Sequence, residues 1–208
     1  MKNKSIIWIT ALIIIVVISA LAVYFLLKQR SPTIDSYIYT GPEGTYEVLN
    51  TKEGGVDITY IKIYVHKQNA TTKISIPLRF DPLSVENIPL EPVKDKVLSK
   101  QLIYLTQDSE LPDLTNKGSI IASLEISKIT GLGIYKIPTQ TGISKPFETS
   151  KLPVITCDAV NETTAVINFR FGNPSISLEN DCIIIKGSDK DSIIKAADKF
   201  VMHLFGVF

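Results

Sequence analysis

The first thirty residues contain no aspartate or glutamate, and between Ile6 and Leu27 there is no charged residue of either sign. That absence excludes a solvated surface helix. In IIWITALIIIVVISALAVYFLL only Thr10 and Ser19 are clearly polar. A helix rising ~1.5 Å per residue carries such a run across ~30 Å of hydrocarbon with every backbone amide satisfied. The expectation is a spanning helix, with the lipid bilayer as its partner, inside an anchor and stalk of residues 1–35. Trp8 and Tyr24 suit interfacial rings, and Lys2, Lys4, Lys28 and Arg30 can reach headgroups from either end. Ala20-Leu21-Ala22 has the small-x-small form of a signal cleavage site, but Val23 to Leu27 prolongs the apolar run past it. A cleavable signal turns polar there, so an uncleaved anchor is expected.

Cysteine and histidine are scarce, at two residues each. An even, sparse cysteine count suits one disulfide, Cys157 to Cys182, in an oxidising compartment; two buried unpaired thiols are the alternative. The terminal amine with Lys2 and Lys4 slightly outweighs Lys28 and Arg30, which favours an N-terminus inside and the remaining domain outside the cytoplasm. The N-x-T sequons at Asn69 and Asn161 are glycosylation candidates compatible with export. A pilin-like helix, which carries an acidic residue just inside the mature segment, is not matched. Neither His66 nor His203 has a second histidine or a carboxylate at ligand spacing, so no metal site is expected. His66 reads as a strand residue and His203 as a cation in the last turn of a helix.

No excess of positive charge is available beyond the anchor. The first thirty residues hold four of the 22 Lys and Arg and none of the 21 Asp and Glu, leaving residues 31–208 three negative charges in excess. Nucleic acid is therefore not expected as a partner. Gly131-Leu132-Gly133 lacks the third glycine and the setting of a dinucleotide fingerprint, and no phosphate-binding G-x-x-x-x-G-K-[ST] occurs. No cofactor is expected. Repeats and low-complexity tracts are also missing.

What remains reads as an α+β fold with a membrane helix, a β-rich subdomain and a C-terminal α/β layer on a mixed sheet. In residues 36–92, Tyr46 to Leu49, then Gly54-Gly55, then Val56 to Lys67 place Ile58, Tyr60 and Tyr64 on one face and Ile61, Ile63 and Val65 on the other. After a turn at Gln68-Asn69, Thr72, Ile74, Ile76 and Leu78 alternate with polar residues, which gives a β-meander with Pro77 marking an edge or a bulge. Three prolines between Asp81 and Val93 mark the boundary with residues 93–208. There, Leu102 to Leu105 and Val154 to Cys157 read as strands. Ser119 to Ile129 reads as a helix with Ile121, Leu124, Glu125 and Lys128 at helical spacing, and Thr164 to Phe171 with Ser175 to Leu178 reads as a hairpin-like pair. Cys182 to Ile185 forms a strand, and a helix starts at Ser188 with Asp191 at capping-box distance. Ile193, Ile194, Ala197, Val201 and Leu204 make its apolar stripe, Lys190, Asp191, Lys195, Asp198 and Lys199 its polar one, and Gly206 its stop.

The segments LRFDPLSVENI (78–88), ITCDA (155–159), CIIIKG (182–187) and IKAADKFVMHLFGV (194–207) resemble those of a group of small membrane-anchored archaeal proteins without assigned activity. The resemblance covers most of residues 78–208, implies an anchored extracytoplasmic domain and transfers no catalytic residue. The last strand-turn-helix is also similar to units of archaeal surface-layer proteins. Function is expected to be a non-enzymatic envelope module that binds or spaces a surface component or membrane-protein partner, in an unspecified oligomeric state. The alternative is an anchored hydrolase using Asp158 and Asp181, two carboxylates at strand ends that a disulfide would draw together. Aspartate at such ends is also a common turn-former.

Overall fold

The computed structural model describes residues 13–24, 35–67, 70–108, 110–146 and 150–208. The chain divides into two compact units, Met1–Ile34 and Asp35–Phe208. In the first, helix α1 (residues 13–24) has its apolar side chains exposed throughout. Among the described residues no helix is long and apolar enough to cross a membrane. The expected spanning helix is not found among them: α1 rises roughly 18 Å, short of the ~30 Å of hydrocarbon. The rest of Ile6 to Leu27 lies outside the described residues, as does the turn at Gln68-Asn69.

The second unit opens with the meander. Strands β1 (Asp35–Gly41), β2 (Gly44–Glu53), β3 (Val56–Lys67) and β4 (Ala70–Leu78) pair antiparallel in that order. Gly54 and Gly55 both have positive φ, as a two-residue hairpin turn requires. The alternation holds: Val48, Ile61, Ile63, Ile76 and Leu78 are buried, while Tyr64 on the opposite face is exposed and Lys62 and Lys73 pair with Glu47. Pro77 does sit on an edge strand, where its missing donor costs no ladder bond.

The proline-rich stretch holds two short helices, α2 (Pro82–Val85), capped by the Asp81 carboxylate on Ser84 N–H at 3.0 Å, and α3 (Lys94–Leu98). The remaining elements are β5 (Leu102–Gln107), α4 (Asp113–Ser127) running into a π-helical turn (Lys128–Gly133), β6 (Thr139–Ile143), β7 (Thr164–Phe171), β8 (Ser175–Glu179), β9 (Cys182–Gly187) and α5 (Lys190–Leu204). They build a mixed five-stranded sheet in the order β6-β5-β7-β9-β8, all parallel except β8. Between α2 and α3, residues 89–91 lie along β8, with Ile176 N–H bonding Pro89 O and Glu91 N–H bonding Ile176 O, and so cover an edge that would otherwise present free backbone groups. The inner faces of both sheets, with α4 and α5 between them, form one hydrophobic cluster reaching from Tyr39 to Val207. Residues 36–92 and 93–208 share that core.

Four local readings change. The pair read as a hairpin is not one: β7 and β8 flank β9, and the hairpin is β8–β9 around Asn180 and Asp181, whose φ values of 51° and 65° supply the left-handed turn. Val154 to Cys157 is not a strand; only Val154 makes a single bridge, to Ile143, and Cys157 opens a 3₁₀ turn (Cys157–Ala159) over the outer face of the sheet. On α4 the buried side is Ser119, Ala122 and Ile126, with Leu124 outside, because Gly118 lets the helix touch the backbone of Lys190. The cap of α5 is Asp189, which bonds Ser192 N–H at 2.8 Å while Ser192 Oγ takes Asp189 N–H at 3.0 Å. Gly206 ends the helix at φ 75°, with its N–H on His203 O and that of Val207 on Met202 O.

Candidate functional site

A concavity of about 590 Å³ lies where the meander meets the C-terminal end of α5. Ile63 and Val65, inward-facing on β3 beyond the reach of the helices, form its floor with Leu98 and Ile134. Two tyrosines shape the wall because α5 ends there with carbonyls that no helical amide can satisfy. Tyr46 on β2 donates its hydroxyl to Gly206 O at 2.9 Å, and Tyr135, carried past α4 by the π-helical turn, donates to Leu204 O at 2.8 Å. Burial raises both phenols, Tyr135 more strongly, so both stay protonated and keep donating. The Tyr135 ring stacks on Phe205 with centroids 5.3 Å apart. At the rim Lys94 Nζ reaches Glu43 Oε1 at 2.8 Å, and Tyr64 stands 58% exposed. The site therefore offers rings, one ion pair and acceptors: phenol lone pairs whose protons are already committed, and a half-exposed carboxylate.

The first cleft residue lies far along β1 from where the chain enters the unit. Asp35 pairs with Asn50, whereas Gly41 and Gly44 close the hairpin that carries Glu43. Seven strand residues separate the two ends, roughly 20 Å.

A second polar group sits between β4 and the helices. Asp198 on α5 is wholly buried, and its Oδ2 accepts the N–H groups of Arg79 at 2.9 Å and Phe80 at 2.8 Å. Glu125 on α4 accepts Arg79 Nε at 2.9 Å through Oε1. The other oxygens, Asp198 Oδ1 and Glu125 Oε2, are buried without a partner. A cavity of about 120 Å³ beside them is lined by Arg79, Glu125 and Lys128. Sequence periodicity had put Asp198 and Lys199 on the wet side of α5, but both are inside, and Lys199 Nζ, lowered in pKa by its burial, bonds Glu86 O at 2.7 Å under the Phe208 ring.

The residues nominated from sequence lie elsewhere. Cys157 and Cys182 form the disulfide, with Cα atoms 5.3 Å apart, and it pins the 3₁₀ turn to β9 above Val166 and Ile184. Asp158 and Asp181 flank it, both exposed. Thr156 Oγ1 donates to Asp158 Oδ2 at 3.1 Å, Lys96 holds Asp181 at 2.7 Å, and neither lines the cavities described above. Asn161 is exposed, its Oδ1 accepting from Thr163 and Thr164 N–H; Asn69 lies outside the described residues. His66 pairs with Thr71 within the meander. His203 is held on both nitrogens: Val93 N–H donates to Nε2 at 3.2 Å, which leaves the proton on Nδ1 to be donated to Phe208 O at 2.8 Å. Its place in the last turn is as read from the sequence, but both ring nitrogens are engaged by backbone. Among the described residues no three His, Cys, Asp or Glu are grouped to hold a metal. No family model matches the chain, and no curated protein or solved structure gives a significant match.

The cleft residues carried no sequence signal, since Glu43, Tyr46, Lys94 and Tyr135 are scattered over the chain without a motif.

Proposed function

We propose that the chain is a single-pass, membrane-anchored extracytoplasmic binding module whose ligand is a saccharide of the cell envelope, held in the aromatic cleft. The uncharged run Ile6 to Leu27 supports the anchor, and a disulfide supports an oxidising compartment. The resemblance to small membrane-anchored archaeal proteins agrees with both.

The observation that carries the binding role is the chemistry of the cleft. Exposed and stacked rings accept the C–H face of a sugar, while committed phenols and Glu43 leave acceptors that hydroxyl donors satisfy. Nothing observed favours a hydrolase built on Asp158 and Asp181, each of which is occupied in its own loop.

The test is calorimetric titration of the full chain in detergent with envelope oligosaccharides and, separately, with peptides. Saccharide binding that weakens about tenfold in Tyr64→Ala and in Glu43→Gln, an effect of ~1.4 kcal/mol, supports the reading. Peptide binding alone, or saccharide binding indifferent to both substitutions, overturns it.

A further inference from the structure

The joint between the meander and the helices rests on one arginine and two acids. Arg79 leaves β4 with its backbone N–H on Asp198 and its guanidinium on Glu125, so the carboxyl groups of α5 and α4 converge on one residue. Each then has an oxygen left over, Asp198 Oδ1 and Glu125 Oε2, and both oxygens are buried with no donor. Among the six buried side-chain atoms without a partner in the described residues they are the only carboxylate oxygens, and a buried polar atom so left costs ~1 to 3 kcal/mol. The charges do not balance either. Two carboxylates face one guanidinium; the other cation beside Glu125 is Lys128, which is exposed, and on α5 itself Lys199 is spent on Glu86 O and Lys195 lies over the Phe80 ring.

A single proton restores the balance of charge. We propose that the Asp198–Glu125 pair holds one proton, and that this proton locks the exit of β4 onto α4 and α5, so that the meander's attachment to the helical layer loosens as the surroundings become alkaline. The proton leaves one negative charge opposite Arg79. Its loss places two like charges around one guanidinium with Asp198 wholly buried, where repulsion is poorly screened.

The titration of the pair runs in the same direction. Burial, and then the charge of Glu125, raises the Asp198 carboxyl well above its usual range, and burial raises Glu125 against the opposing pull of Arg79 and Lys128. Groups raised on folding give a stability that is complete below the unfolded values, near 4, and is lost as pH climbs through the folded ones.

The test uses the full chain in detergent. Asp198→Asn keeps an acceptor for the Arg79 and Phe80 amides, and Glu125→Gln keeps one for Arg79 Nε, while each leaves the pair with a single carboxyl group. The wild type is expected to lose melting temperature steadily between about pH 5 and pH 9, the range above ordinary carboxyl titration, and the two variants to have flat profiles there. Infrared spectra at about pH 6 should contain the carbonyl band of a protonated carboxyl group in the wild type and lack it in both variants. Should one variant fail to fold, the other and the wild-type band still decide. A wild type without that band, or variants whose melting falls with pH in parallel with the wild type, overturns the proton held by the pair.

Discussion

His203 illustrates how a single ring can be fixed by backbone alone. Its Nε2 takes the N–H of Val93, a fully buried residue at the start of α3, and its Nδ1 serves Phe208 O, so the imidazole ties the proline-rich crossing and the final residues to α5. Replacement by alanine leaves the Val93 amide buried without an acceptor. His203→Ala should therefore destabilise by ~1 to 3 kcal/mol in chemical denaturation, and His203→Phe, which fills the space without the acceptor, should not restore it. Rescue by phenylalanine would assign the ring a packing role only. None of this was legible in the sequence: a histidine in a last turn reads as a dipole-favoured cation, because the partner amide comes from a residue 110 positions away. Asp198 and Lys199 were misread for the same reason. Periodicity reports which side of a helix is polar, and here the polar side is covered by the exit of β4 and by the tail.

At the scale of elements, three of the four meander strands were legible, because a half-wet sheet writes its two faces as alternation, while β1, with only Tyr39 buried, was not. The α/β half was less so. Strands β7 and β9 are buried on both faces and read as continuous apolar runs, which fix neither partner nor order. Their neighbours were then assigned by proximity in the chain, and Gly172-Asn173-Pro174 drew the eye from Asn180-Asp181, the pair that does turn a hairpin. The reading of Asp181 as a turn residue has its own consequence. Glycine adopts its φ of 65° without strain, while the Lys96 pair that would be lost is exposed and screened by solvent. Asp181→Gly should thus leave the melting temperature nearly unchanged, and a clear fall would show that the carboxylate does more than turn the chain.

For the whole molecule, the disulfide pairing was predictable from count alone, although the geometry expected for it was not. The bridge does not join two paired strands; it straps the crossing from β6 to β7 onto the outer face of the sheet. With a separation of 25 residues, chain-entropy reasoning assigns it ~3 to 4 kcal/mol. Replacing both cysteines by alanine should lower the melting temperature by many degrees, and non-reduced peptide mapping of protein taken from its own membrane should recover residues 157 and 182 in one species. Two alkylatable thiols in that material would remove the main support for an outside location. The cleft was not legible at any scale below this one, since its walls come from the first hairpin, the proline-rich crossing, the end of α4 and the end of α5.

Helix α5 lies between the two sheets yet follows all of their strands in the chain. Until residues 190–207 have emerged, the inner faces of both sheets have no common partner, Gly41 lacks the carbonyl of Val207 beside it and Arg79 has no Asp198 to close on. A chain made from its N-terminus therefore keeps this core unlocked until α5 has emerged and closes it in one late step.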